Sequence, residues 1–467
     1  SADDVFLNFG GCAPVLYSEP LEGKILASGS QIAFGQTRYH FYEGLWRRGS
    51  YMFRDYISSL GHMIPDNYNP PLVWSTEYDI GLQPNRNAPI SRYDLDGIER
   101  EAKKAKEMGC EALFLSAGWE DEDGSSRWDE EKLGQADVTI RNIKQEFGLK
   151  IGFRCIGRSY GDEYPGMYRK MYDNAIGYFA PYKSRPFYEP CYCFDKYQQE
   201  KIERVSQLVD AGMDFIVFDA FDWRGRCFDE SHNHKIPTTP GMHSKAIFRM
   251  IEELKTKYPY LFIETHDPVW SWGVRYLPVY YMYSGGDTFE AIWSFKFARN
   301  PLDDLLSGKA LSLFYYNLCY DIPLFTHINL NKDNQDCLAF WWYASTVRHL
   351  GIGGVKSSDG QYEAYKQAVS KYLKLKDLYT RGTFYGLDEL THIHTLPDIG
   401  RAVINAYNLT DATVSRDIEI VLSEIGLLDE VVLTGAEGKI ADGKVNIHLE
   451  IKPYSPAIIT LEPLFSH

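Results

Sequence analysis

The sequence predicts an α/β protein: a (β/α)8 TIM barrel over residues 71–381, followed by an antiparallel β-sandwich over 382–467 and preceded by a β-rich extension over 1–70. Three observations carry this. From Pro70 onward, eight apolar, strand-like runs alternate with amphipathic helical stretches, which is what a parallel sheet covered by helices requires. Gly109, Gly148 and Gly212 each stand between the end of a helical stretch and the next strand, the α-to-β passage of such a barrel. After Arg381 the pattern becomes short alternating or β-branched runs split by Gly, Asn and Asp, as in a small sandwich.

In the extension, Val5–Phe9, Ala13–Tyr17, Lys24–Ala27 and Gln31–Phe34 read as short strands, and Thr37–Tyr42 alternates. Trp46–Leu60 then reads as an amphipathic helix, ended by Pro65-Asp66-Asn67. The barrel strands are expected at Leu72–Tyr78, Glu111–Trp119, Lys150–Gly157, Asp214–Asp222, Leu261–Asp267, Val279–Ser284, Pro323–Leu330 and Leu350–Val355. Helices are expected at Asp94–Met108, Ala136–Phe147 and Lys196–Ala211. Between Asp267 and Val279 there is room for one short helix at most. Sandwich strands are expected at Asp398–Leu409, Asp417–Leu422, Glu430–Thr434, Gly443–Ile451 and Ala457–Leu461.

Composition narrows the function. A net charge of −15 argues against nucleic-acid binding, which needs Lys and Arg to displace counterions, and against an anionic membrane surface. No apolar run reaches the roughly 18 residues of a spanning helix. Aromatics make up 15% of the chain, which suits either a sugar-binding cleft or a large aromatic core. The eight Cys carry no zinc signature: Cys191 and Cys193 form C-x-C, so no metal and no cofactor is expected. Cys110, Cys155 and Cys319 read as buried thiols, and a bridge among Cys191, Cys193 and Cys227 stays open. The chain starts Ser1-Ala2-Asp3-Asp4; the expectation is that something upstream was removed, with a secreted or periplasmic setting favoured. Asn408-Leu409-Thr410 is a glycosylation sequon of a kind common by chance. There is no G-x-S-x-G elbow, and no G-x-G-x-x-G opens a helix after the first strand.

A TIM barrel keeps its active site at the C-terminal ends of the strands. Those ends carry Trp74 and Glu77; Trp119, Glu120 and Asp121; Arg154 and Arg158; Asp219, Asp222 and Trp223; Glu264, His266, Asp267 and Trp270; Asp287; and His327. Glycoside hydrolysis needs two carboxylates flanking the scissile bond, one ionised and one holding a proton, about 5–5.5 Å apart in a retaining enzyme. Asp219 follows the apolar run Phe215–Phe218, a rigid support for a nucleophile, and Asp287 follows Gly285-Gly286. Either residue could instead cap the next helix.

At this point the chain resembles the retaining α-galactosidase clan of glycoside hydrolases. Phe215-Ile216-Val217-Phe218-Asp219 is similar to that group's strand-four motif, which ends in the nucleophile. Ser284-Gly285-Gly286-Asp287-Thr288-Phe289-Glu290-Ala291-Ile292 is similar to its acid/base segment. Ala112–Trp119 is similar to its strand-two segment, with Gly118 and Trp119 retained. The resemblance implies Asp219 as nucleophile, Asp287 as acid/base, a barrel followed by a sandwich, and the short passage between strands five and six. The paired Asp that bind galactose in the group are Ser116 and Ala117 here, and the group's Lys two residues before the nucleophile is Val217.

The expected function is therefore a retaining exo-α-glycosidase whose partner is a carbohydrate and whose glycone is not fixed as galactose. Trp74, Glu77, Trp119, Glu120, Asp121, Arg154, Arg158, Asp222, Trp223, Glu264, His266, Asp267, Trp270 and His327 are its candidate substrate ligands. Arginines at strand ends (Arg154, Arg158, Arg224, Arg226 and Arg275) suit an acidic or modified sugar, or simply neutralise nearby carboxylates. Two other classes compete: a metal-assisted sugar enzyme built on Glu264, His266, Asp267 and Asp219, and a non-catalytic carbohydrate-binding barrel.

Overall fold

The computed structural model describes residues 45–59, 68–80, 93–265 and 300–464 apart from positions 117, 183, 184, 222, 224, 321, 322 and 429, together with 279–280, 297–298 and scattered positions at 64 and before 45. The strands expected at 5–9, 13–17 and 24–27 lie outside the described residues, and residues 39–43 are irregular.

Among the described residues, eleven strands precede the C-terminal layer: β1 (Val73–Ser75), β2 (Ala112–Leu115), β3 (Lys150–Ile156), β4 (Tyr178–Tyr182), β5 (Arg185–Tyr188), β6 (Phe215–Asp219), β7 (Phe262–Thr265), β8 (Val279–Tyr280), β9 (Phe297–Ala298), β10 (Leu324–Asn329) and β11 (His349–Gly353). All but β4 and β5 join one curled parallel sheet in the order β11-β1-β2-β3-β6-β7-β8-β10-β9, and β10 also pairs β11. β4 and β5 form a separate antiparallel hairpin that the sequence pattern did not announce.

The helices end where the glycines stand. Leu95–Met108 stops at Gly109 with φ 89°, and Ala136–Phe147 at Gly148 with φ 70°; both backbones are left-handed, which glycine adopts without a Cβ clash. At its start, Leu95–Met108 is capped by the Asp94 side chain, which accepts from the Gly97 N–H at 2.7 Å. Helices Asp195–Asp210 and Pro240–Lys257 cover β6 and its neighbours.

The sheet has two apolar faces. Outward residues such as Leu113, Leu115, Ile151, Phe153 and Ile216 join the large core beneath the helices. Inward residues form a separate plug of Val73, Ala112, Phe114, Phe215, Val217 and Phe325. Small residues make room for its rings: a Cβ on Gly152 would lie 2.2 Å from the Phe215 ring, and one on Gly351 would lie 2.3 Å from His327 Nδ1. That packing accounts for a glycine inside strand β3 and for the glycine-rich β11.

The C-terminal strands are β12 (Thr383–Asp388), β13 (Thr391–Leu396), β14 (Arg401–Tyr407), β15 (Val414–Val421), β16 (Val431–Thr434), β17 (Glu437–Ala441), β18 (Lys444–Ile451) and β19 (Pro456–Pro463). They form a five-stranded antiparallel sheet, β12-β13-β14-β19-β16, and a three-stranded one, β15-β18-β17. Ile393, Ile404, Ile418, Ile420, Val445, Ile447 and Leu461 fill the space between the sheets. β18 alternates buried and exposed, as a strand with one wet face should. β13 reads as polar, Thr-His-Ile-His-Thr-Leu, yet Thr391–Thr395 are all buried. Its second face packs on helical elements: His392 Nδ1 lies 2.8 Å from Ser345 Oγ, and His394 Nε2 lies 2.8 Å from the Ser345 carbonyl. The helix Trp46–Ser59 docks on the same layer, with Arg54 donating to the Phe384 carbonyl at 2.6 Å.

Candidate active site

Asp219 ends β6 after four fully buried apolar residues. Side chains alternate along a strand, so Asp219 shares the concave face with Phe215 and Val217. Arg154 on β3 is the register partner of Val217 and faces the same way. Its Nε donates to Asp219 Oδ2 at 2.5 Å, and its Nη2 reaches the same oxygen. The pair is largely shielded, with side-chain exposures of 13% and 6%. Ala220 then takes φ 61°, so the chain leaves the strand through a left-handed residue that is not glycine. Such backbone is uncommon and gathers at functional sites.

Three more carboxyls belong to this mouth. Glu77 follows β1, is buried, and accepts from Ser116 Oγ at 3.1 Å. Glu120 follows β2; its two oxygens accept from the Gly124 and Ser126 N–H groups at 3.1 and 2.6 Å. Burial pushes the Glu120 carboxyl up in spite of those bonds and of the nearby Lys201. Asp123, in the same loop, is pushed well above the usual carboxylate range by burial and then by the charge of Glu120; Asp219 adds to the effect. Its Oδ1 finds no hydrogen-bond partner among the described residues. An acid that holds its proton beside an ion-paired carboxylate is the asymmetry that acid–base chemistry uses. Sequence reasoning passed over Asp123, because burial and the charge of a neighbour are not local signals. It also passed over Lys201, fully buried, which donates to Ser126 Oγ and the Ile156 carbonyl and so ties this loop to β3.

The other expected residues fall in several places. Arg158 and Trp223 line a cleft with Gly157, Ala220, Arg169 and Glu189, directly beyond the turn that follows Asp219. Asp121 is exposed and organises its own loop, accepting from Ser125 Oγ at 2.6 Å and pairing with Arg127 at 2.8 Å. Trp119 is fully buried, donates to the Arg154 carbonyl at 3.0 Å, and packs 5.0 Å from Phe153, so it supports the mouth from beneath. Trp74 points to the outer face of the sheet, where Nε1 donates to Glu101 Oε2 at 2.8 Å. His327 lies inside the sheet with its ring 5.0 Å from Phe114. Glu264 is also interior: Oε1 lies 2.8 Å from His349 Nδ1, and neither side chain has any exposure. Burial raises the Glu264 carboxyl well above its usual range and lowers the His349 ring well below its own, so the pair is neutral. Asp222, His266, Asp267, Trp270 and Asp287 lie outside the described residues. The sequon residue Asn408 is buried, and its amide donates to the carbonyls of Ala412, Ile451 and Lys452, so that nitrogen is committed to the fold.

Among the described residues, one group of side chains has metal-ligand chemistry. Cys191, Cys227, His232 and His234 place one donor atom each within 4.8 Å of the others. Cys191 also lines the cleft beyond Asp219.

No family model and no curated protein matches the chain. Solved structures do. The α-galactosidase from Lactobacillus brevis superposes with a TM-score of 0.63 at 14% identity, over 90% of this chain and 58% of that one. The GH36 α-galactosidase AgaB from Geobacillus stearothermophilus gives 0.64 at 14% identity, over 89% and 58%. An α-amylase from Geobacillus thermoleovorans gives 0.56 at 12% identity, over 85% and 99%. The chain thus spans under three fifths of the length of the α-galactosidases it matches. At these identities the likeness is one of architecture, and the architecture is that of the melibiase-like α-galactosidase clan.

Proposed function

We propose that the protein is a retaining exo-α-glycoside hydrolase that removes a terminal sugar by double displacement. The observation that carries this is Asp219: an inward-facing carboxylate at the C-terminal end of a parallel strand, held by Arg154 and near Asp123, whose carboxyl burial pushes well above its usual range. On this reading the ring of pairings β11-β1-β2-β3-β6-β7-β8-β10, with β10 back on β11, is a closed (β/α)8 barrel over 71–381, and 382–467 is its sandwich. Asp219 attacks the anomeric carbon. Asp287, from the resemblance, protonates the leaving oxygen and then activates water.

The fold supports the reading, since variants of one GH36 α-galactosidase of this architecture, AgaA from Geobacillus stearothermophilus, are described in complex with raffinose and with stachyose. By the resemblance, Ser116 and Val217 replace that group's galactose ligands, and Arg158 lines the cleft beyond Asp219, which favours an acidic or modified glycone; the Arg169 of that cleft is paired with Glu189.

A panel of aryl α-glycosides, including uronic and sulfated sugars beside galactosides, tests this with wild type and Asp219→Asn. Turnover by wild type and its loss in the variant is the expected result. Full activity in Asp219→Asn removes the proposal, and equal rates on neutral and charged sugars remove the acidic glycone.

A further inference from the structure

We infer that Cys191, Cys227, His232 and His234 form a structural zinc site. Two thiols and two imidazoles are the donor set of a closed, four-coordinate zinc centre, in which no position is left for a substrate. The four donors come from two segments. Cys191 precedes the helix Asp195–Asp210; Cys227, His232 and His234 lie in the loop after β6. The turn that brings the two rings together is built in, because Asn233 between them takes φ 56°, a left-handed conformation that Asn tolerates.

The second observation is the orientation of the rings. His234 Nδ1 lies 3.1 Å from the Lys235 carbonyl, while its Nε2 lies 3.3 Å from Cys191 Sγ. His232 Nε2 lies 3.2 Å from the Gly166 carbonyl and 3.4 Å from Asp229 Oδ2, while its Nδ1 lies 3.5 Å from Cys227 Sγ. A carbonyl only accepts, so in each ring the proton sits on the nitrogen turned away from the sulfurs. The lone pair of the other nitrogen then points at them. This is the arrangement of metal-bound histidines, whose far N–H is anchored on a carbonyl or carboxylate. His232 is clamped as well, stacked 4.3 Å from the Phe194 ring. Cys191, Cys227 and His232 are 4%, 1% and 1% exposed. Thiolates so buried need a cation, and Zn2+ supplies it as two thiol protons leave to solvent. The ion would pin the loop that begins at Asp219 and carries Trp223 to the segment leading into the next helix.

The test measures zinc per chain by elemental analysis on full-length protein purified without chelator, then repeats it after exchange with Co2+ alone. About one zinc per chain is expected, with the intense visible absorption of a tetrahedral thiolate-bound cobalt. Cys227→Ser and His234→Ala should each lower zinc retention under a competing chelator by about tenfold or more, and Asp229→Asn by a comparable factor through its contact with His232 Nε2. Cys337→Ser, which alters a buried thiol outside the cluster, should retain it. Absence of stoichiometric zinc and of the cobalt spectrum in wild type overturns the inference without relying on any variant to fold. So does a Cys191–Cys227 disulfide found by mass spectrometry under non-reducing conditions, or an equal loss of zinc in Cys337→Ser.

Discussion

Asp219 and Glu264 are carboxyls on neighbouring parallel strands, turned to the same concave face and both nearly without exposure. Glu264 is the register partner of Val217 and so lies two residues below Asp219 along the sheet. What separates them is the partner. Asp219 meets Arg154, a permanent cation, and stands as an ion pair at the rim. Glu264 meets His349 in a dry interior where burial neutralises both. Two residues of strand are enough to turn an ion-paired position at the rim into a neutral, packed one. The lesson is that the level of a carboxyl in the sheet, as much as its strand, decides its role.

The largest expected effect breaks that comparison on the upper side. Asp219→Asn should lower kcat by about 10³-fold or more on any glycoside the protein cleaves, because the proposed nucleophile is removed while the shape is kept. Arg154→Gln comes next. It leaves the Asp219 carboxylate buried without its cation, and chemical denaturation should show a loss of about 3–5 kcal/mol, with Arg154→Lys recovering part of it. A larger loss for Gln than for Lys is required; equal stability of Gln and wild type would mean the pair is not held as described.

The third effect is a pH dependence in the layer beneath the sandwich. Burial lowers the His392 ring to about 4 from its ordinary 6.5. The unfolded chain therefore takes the proton first as pH falls. The stability from the neutral ring is fully present above pH 6.5 and is lost as pH drops toward 4. The size is on the order of 3 kcal/mol for such a shift. Thermal unfolding between pH 7 and pH 4 should show a shallower slope for His392→Gln than for wild type; identical slopes would contradict the assignment. The smallest effect is Glu264→Gln. A protonated Glu and a Gln are near isosteres, so the free energy of unfolding by denaturant should move by about 1 kcal/mol or less and kcat/KM should hold within about twofold. A large loss of activity would move Glu264 back among the substrate ligands.

Much of the sheet could be read from the chain because its signals are local. Gly109 and Gly148 mark helix ends by a backbone conformation that only a few residues accept, and β6 announces itself as an unbroken apolar run. β13 could not be read, since its polar letters are buried by partners such as Ser345, which stand some fifty positions away in the chain. The same holds at the mouth. Trp74 and Trp119 were placed by type at strand ends, but parity and the loop after Gly118 turn them into packing, and only register shows that. The cysteine and histidine group escaped because Cys191 and Cys227 are separated by a helix and a strand, with no spacing rule to join them.

The proposed double displacement requires Asp219 to act as a covalent nucleophile. Incubating the protein with an activated 2-deoxy-2-fluoro α-glycosyl fluoride or a cyclophellitol-type epoxide, chosen from the sugar the aryl-glycoside panel identifies, and mapping the adduct by peptide mass spectrometry tests it directly. A single sugar attached to Asp219 is expected, with loss of activity in step with labelling. A sugar attached to another carboxylate, or turnover that continues with Asp219 unmodified, would contradict it.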